Sequence, residues 1–174
     1  MPTEPPADVV IDDATEADVP AIVAIYNDVM ATSTAIWSDR PVTVEERVAW
    51  LHERRGAGRP VLVARLGSET IGFTSYGPFR DWPGYDTTVE LSVHIADSHR
   101  GRGTGHLLLG ALLDRARAAG LHAIIAGIDA ANDGSIRFHR EHGFREVARM
   151  PEVGHKFGRW LDLVLMQLTL TTEP

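Results

Sequence analysis

Cysteine is absent from the 174 residues, which removes disulfide frameworks, cysteine zinc sites and thiol catalysis together. Basic charge is scarce as well: 17 Lys and Arg stand against 24 Asp and Glu, a net charge of −7, and Lys156 is the only lysine. An acidic surface is a poor match for nucleic acid or an anionic membrane, both of which need basic patches. A small molecule is the expected partner. No apolar stretch reaches the roughly 18 residues of a membrane span; the longest lie at 107–113 and 160–170. Nor does the chain open on a basic segment followed by an apolar one, the pattern of a secretory leader. A soluble, cytoplasmic protein is expected. With 44% hydrophobic and 24% charged residues, the composition is that of an ordinary globular chain rather than a disordered one. Residues 1–8 look loose, and a single domain is expected over 9–171, long enough to bury roughly 70% of its unfolded surface.

Caps, turns and periodicity supply the punctuation. A short β-like run at 9–11 precedes Thr15-Glu16-Ala17-Asp18, which reads as a capping box, with Val19, Ile22, Val23, Tyr26 and Met30 following at helical spacing. Thr43-Val44-Glu45-Glu46 repeats the signal for a second helix, its apolar face Val44, Val48 and Leu51 and its stop Gly56 and Gly58. Two strands at 61–66 and 71–76 form a hairpin through Gly67-Ser68-Glu69, and an aromatic loop at 78–86 follows. Val89, Leu91, Val93 and Ile95 alternate with Glu90, Ser92 and His94, the period of a strand with one polar face. Beyond a glycine-rich interruption come a helix at 107–119, a buried strand at 122–128, a short helix at 135–142, and strands at 144–149 and 160–170. The order is β, two α, three β, α, β, α, two β. A mixed sheet with helices on its faces, an α/β class, is the natural packing of that order.

The sharpest local signal is Arg100-Gly101-Arg102-Gly103-Thr104-Gly105, set between a strand and a helix. Its glycines allow close backbone approach, and a helix N-terminus presents unpaired N–H groups and a positive dipole end to a pyrophosphate. By itself the motif fits equally a merely tight turn. No Gly-Lys-Ser/Thr follows, and the third glycine comes too early for a dinucleotide fingerprint.

Arg100-x-x-Gly103-x-Gly105 after the polar-faced strand resembles the acetyl-CoA pyrophosphate loop of the GNAT superfamily of N-acetyltransferases. More narrowly, the chain resembles the phosphinothricin and methionine sulfoximine acetyltransferase family over roughly 9–170. The stretches that carry this are Ala14-Thr15-Glu16-Ala17-Asp18, Ile25-Tyr26-Asn27, Thr34-Ala35-Ile36-Trp37, Thr88-Val89-Glu90-Leu91-Ser92-Val93, Ala126-Gly127-Ile128-Asp129, Asn132 with Ser135, and Val153 through Asp162. The resemblance implies the acyl-CoA N-acyltransferase fold, direct acetyl transfer in a ternary complex, and a homodimer; the apolar strand at 160–170 and the loop before it are expected to form part of its seam.

It also implies roles. Glu90 is the general base that takes a proton from the attacking ammonium. The main chain of Val93, His94 and Ile95 faces the pantetheine, and the cofactor phosphates meet Arg100, Gly101, Arg102, Gly103, Thr104, Gly105 and His106. Asn132 holds the pantetheine arm, with Ser135 beside it. His139 stands where many members carry a tyrosine that protonates the departing thiolate; a histidine can donate near neutral pH, and packing is its other reading. For the acceptor, the resemblance places contacts around Pro83, Gly84 and Tyr85; the residues themselves suggest Arg80 as a grip for a carboxylate, a stray surface arginine being its other reading, and Trp37 as part of the wall. His139 and His142 lack a third ligand at helical spacing, so no metal is expected. Two alternatives stay open: the acceptor is a protein N-terminus or another amine, or the chain is a non-catalytic acetyl-CoA sensor.

Overall fold

The computed structural model describes residues 8–170, so the looseness expected for 1–7 lies outside the described residues. Seven strands form one sheet: β1 (Val9–Asp13), β2 (Val61–Leu66), β3 (Glu69–Pro78), β4 (Thr88–Ile95), β5 (Ala123–Asp129), β6 (Arg145–Lys156) and β7 (Arg159–Thr169). Four helices flank it: α1 (Val19–Thr32), α2 (Val44–Gly56), α3 (Thr104–Ala118) and α4 (Asp133–Glu141). Strand order is β1-β2-β3-β4-β5-β7-β6, with every neighbouring pair antiparallel except β4 and β5.

The period of two along β2 sorts its side chains onto two cores. Val61 and Val63 face α1 and α2, packing with Ile22, Val29, Leu51 and Phe73. Leu62 and Ala64 face α3 and α4, packing with Leu108, Leu112, Ile124, Ile136 and Phe144. Burial by elements on both sides explains why β2 reads as a nearly unbroken apolar run.

Several element ends are decided by single residues. Thr43 caps α2, its hydroxyl accepting from Glu46 N–H while the Glu46 carboxylate accepts from Thr43 N–H. Before α1, the buried Asp18 carboxylate gathers the Thr15 N–H and hydroxyl, Thr70 and the Arg65 guanidinium. Burial works to raise its pKa, but those donors hold it well below the usual carboxylate range. Helix α3 begins at Thr104 rather than 107, because Gly103 adopts a left-handed N-cap conformation (φ 79°) that turns the chain straight into the first helical turn.

The last hairpin differs most from expectation. Strand β6 runs on through Met150-Pro151-Glu152-Val153-Gly154, past the end expected at 149. The sheet absorbs these residues in a bulge between Met150 and Gly154. Glu152 takes a positive φ of 54° and its N–H bonds the Asp162 carboxylate. Because β6 is the edge strand, Pro151 costs the sheet no interior ladder bond.

Between β4 and β5 the ladder covers only Thr88–Glu90 against Ala123–Ile125. Beyond it β4 stays on β3 and β5 stays on β7, so the two parallel strands splay at the sheet centre. Backbone groups along such a gap need another partner.

Candidate active site

Two cavities meet at the splay. The first, of about 430 Å³, lies on the α1/α2 side, with Tyr26 from α1, Arg47, Trp50 and Arg54 from α2, Ser75 and Gly77 from β3, and Glu90, Ser92 and His94 from β4. The second, of about 860 Å³, runs from Val93–Ile95 past His99, Arg100, Gly101, Gly103, Thr104, Gly105 and His106 to Phe138 and Glu141 on α4. Ala35, Val93, His94, Asn132, Ser135 and His139 line both. The polar face of β4 read from its alternation is thus the wall of the smaller cavity, and the end of that strand is the passage to the larger one.

Glu90 leans toward β5, where a Cβ on Gly127 would sit 3.0 Å from its Oε1; the glycine leaves the carboxylate its space. The protein around Glu90 strips enough water to push its pKa up from the ordinary value. His94 packs its ring against Phe73 and Tyr26. Burial first, then the Arg47 and Arg100 charges, bring its pKa down to about 4, so the ring is neutral at working pH.

In the larger cavity, the N–H groups of Thr104 and Gly105 fall in the first turn of α3, where no carbonyl precedes them within the helix. The Thr104 hydroxyl is buried with no partner among the described residues. Gly105 lies under Phe138, 3.3 Å from where a Cβ would stand. Asn132 caps α4, its Oδ1 accepting from Ser135 N–H at 3.0 Å, which leaves the amide NH2 for a ligand. Cap and ligand contact coexist in this geometry.

His139 is 2.8 Å from the Ser135 carbonyl through Nδ1. A carbonyl oxygen only accepts, so the proton of the neutral ring is on Nδ1. Nε2 is buried and meets no polar group among the described residues, and burial lowers the pKa of the ring. In this state His139 carries no proton to give from Nε2, and its ring packs edge-on against Phe138 and Phe144.

Of the residues expected to hold the acceptor, none lines either cavity. Pro78 sits at the rim, but the chain then leaves it: Arg80 is exposed and stacked on Phe79 at 5.2 Å, and Pro83, Gly84 and Tyr85 form an exposed turn. Arg102 is likewise exposed and outside the lining. Trp37 lies over Gly154 and donates its ring N–H to the Thr34 carbonyl. Its segment is tied down instead. Lys156 donates to the carbonyls of Met30, Ser33 and Ile36, Thr34 to the Asp129 carboxylate, and the Asn27 amide bonds both backbone groups of Val42. Ala35 and Ile36 reach the acceptor cavity from this strap.

Sequence reasoning passed over Arg47, Trp50 and Arg54. The apolar face Val44, Val48 and Leu51 had drawn attention on α2, yet Val44 is exposed. The signal was present in the i, i+3, i+7 spacing of two arginines and a tryptophan, which places them on one helix face.

Among the described residues no helix is long and apolar enough to cross a membrane, and no group of three His, Asp or Glu side chains could hold a metal ion.

Residues 22–144 match the model of the acetyltransferase (GNAT) family. The chain is 50% identical over 161 residues to the L-methionine sulfoximine/L-methionine sulfone acetyltransferase of Pseudomonas aeruginosa, covering 92% of this chain and 94% of that protein. It is 36% identical over 160 residues to the phosphinothricin N-acetyltransferase of Streptomyces coelicolor, covering 90% and 94%. The structure of yncA, a putative acetyltransferase from Salmonella typhimurium with its cofactor acetyl-CoA, superposes with a TM-score of 0.92 at 44% identity, over 94% of this chain and 95% of that one. With a splayed mixed sheet, a glycine-turned helix start beside it and these relatives, the chain belongs to the acetyltransferase (GNAT) family, the enzymes that move an acetyl group from acetyl-CoA to an amine.

Proposed function

We propose that the chain acetylates the α-amino group of a small amino acid or analogue, of the methionine sulfone, methionine sulfoximine or phosphinothricin kind, by direct transfer in a ternary complex. The observation that carries this reading is the meeting of two cavities at the β4–β5 splay, with Glu90 on one side and the start of α3 on the other.

The residues present fit acetyl-CoA. The glycine-turned helix start, the Thr104 hydroxyl that has no partner among the described residues and the positive end of the α3 dipole suit a pyrophosphate, and the backbone edge at Val93–Ile95, which β5 leaves without a strand partner and where Arg100 bonds the Ile95 carbonyl, suits the amide-bearing pantetheine arm. Acetyl-CoA supplies the thioester. The Asn132 amide is placed to orient the arm, and backbone N–H groups at the splay to polarise the carbonyl. Glu90, ionised, takes a proton from the acceptor ammonium, directly or through a water. The thiolate, with a thiol pKa of about 8.5, leaves without needing His139, whose role is to hold α4 through the Ser135 carbonyl.

A panel of acceptors with acetyl-CoA, followed by CoA release, tests the reading. Free amino-acid analogues should turn over and peptides should not. Peptide turnover with silent amino acids would favour a protein N-terminus as acceptor; no CoA release with any amine would leave an acetyl-CoA sensor. Gly103→Val should raise the acetyl-CoA KM strongly, since Val cannot take φ 79° without strain.

We also propose a homodimer in the cytoplasm. Strand β7 is interior, paired on both sides, so the seam expected on it moves to β6, the open edge, whose neighbourhood carries Val147, Met150, Val153 and Phe157 exposed.

A further inference from the structure

Arg47 and Arg54 line the acceptor cavity from α2, with Trp50 between them along the helix. The Arg47 guanidinium lies over the Tyr26 ring at 3.9 Å and the Trp50 ring at 4.9 Å. Among the described residues no carboxylate comes within ion-pair distance of it, and its Nε is buried with no partner. Arg54 directs Nη1 outward to Glu53 at 3.1 Å, while Nη2 lies over Gly77, 2.6 Å from where a Cβ would stand. Its Nε is also buried, with no partner among the described residues. The two guanidiniums repel each other, and burial lowers both pKa values. Two half-buried cations lining one cavity, with only the outward-lying Glu53 within ion-pair reach of one of them, are a costly arrangement for the protein alone.

Glu90 faces the same cavity yet pairs with neither. Gly77 is its cross-strand partner on β3, so Arg54 stands above the strand on one side of Glu90 while the carboxylate leans to Gly127 on the other. A negative group and two positive ones thus share one small cavity without pairing with each other: among the described residues Glu90 and Arg47 have no counter-ion, and Arg54 meets only Glu53, on its outward side. An α-amino acid carries the complement, an ammonium and a carboxylate two bonds apart through one carbon.

We propose that Arg47 and Arg54 are the carboxylate anchor for the acceptor, selecting free α-amino acids over amides and peptides and aiming the ammonium at Glu90. The proposal rests on the acetyl-transfer reading above and assigns to α2 the task expected of Arg80. Charge-assisted pairing to a planar carboxylate suits guanidinium geometry, and the aromatic rings fix the Arg47 fork in advance.

Methionine sulfone isolates the effect, because its side chain is uncharged and its carboxylate is the only anion. Steady-state kinetics with methionine sulfone and its carboxamide should show wild type preferring the acid. Arg47→Gln and Arg54→Gln should each raise the KM for the acid roughly 10- to 100-fold, the scale of one lost charged hydrogen bond. The KM for acetyl-CoA and that for the carboxamide should stay put. Arg54→Lys should recover part of the loss if charge matters and all of it only if fork geometry does not. The proposal is overturned if wild type takes acid and carboxamide alike, a result that needs no variant. It is equally overturned if the α2 variants weaken both acceptors equally, or if Arg80→Gln alone erases the preference. Calorimetry of both ligands on the CoA-loaded wild type separates the two readings: preferential binding of the acid without turnover sinks the acetyl-transfer reading and keeps the anchor.

Discussion

At the scale of single residues, the site depends on what surrounds a group more than on which group it is. Glu90 and Asp18 are both carboxylates held by protein, yet Asp18 is pulled down by Arg65 and three other donors while Glu90, facing the cavity without a cation, is pushed up. A base must be ionised to accept a proton, so wild-type kcat/KM should fall as pH drops through a value above the ordinary 4.5 of glutamate. Glu90→Gln should lower kcat roughly 10²-fold, the low end of what a positioned base contributes, and should abolish that acid limb. His94 titrates at about 4 and also faces the cavity, which makes the variant decisive: a limb that survives Glu90→Gln belongs to the histidine. The profile of kcat/KM from about pH 4 to 8 in both proteins is the measurement, and an unchanged profile would return Glu90 to an ordinary strand carboxylate.

At the scale of elements, the sequence was legible wherever a pattern had one cause. Alternation along β4 announced both a strand and its polar face, and that face proved to be the cavity wall carrying Glu90 and His94. The capping box at Thr43 announced the start of α2 because a local hydrogen-bond pair decides it. Legibility failed where a long-range partner overrode a local signal: Pro151 and Gly154 argue for a loop, and only pairing with β7 keeps them in a strand. The same limit hid Arg47 and Arg54, since their places in the wall of one cavity are a property of the fold and not of α2. It also obscured why Lys156 stands alone as the one lysine. Its ammonium caps the end of α1 and holds the 33–36 strap from 120 residues or more away in sequence. Gly154, on the same strand, must stay small because a Cβ there would overlap the Trp37 ring. Gly154→Ala should therefore displace Trp37 and loosen the strap, raising the KM for the amine several-fold while the kcat at saturation stays near wild type. Tryptophan emission should shift to the red as the ring meets water. Unaltered emission and acceptor KM would show that the strap does not depend on this contact.

At the scale of the whole molecule, the sheet has two edge strands, β1 and β6, of different character. Strand β1 is short, five residues with acidic side chains at its end, the usual way an edge is kept from pairing. Strand β6 is twelve residues long and leaves one backbone edge unmatched. Val147 at 55%, Met150 at 41% and Val153 at 48% relative exposure lie along it, and Phe157 and Trp160 stand out at the hairpin tip. Apolar side chains on an open antiparallel edge fit a self-complementary contact about a two-fold axis, in which the same strand serves both copies. Neither cavity includes a β6 residue, so association should matter for stability more than for the chemistry of a single site. Light scattering should report about twice the 19.1 kDa of one chain. Val147→Asp with Met150→Asp should shift it to one chain, because a dimer would bury like charges across the axis. That monomer should melt at a lower temperature that no longer rises with protein concentration, while its KM for acetyl-CoA is unchanged. A wild type that scatters as a single chain would refute the seam, and a double variant that stays dimeric would move it away from β6.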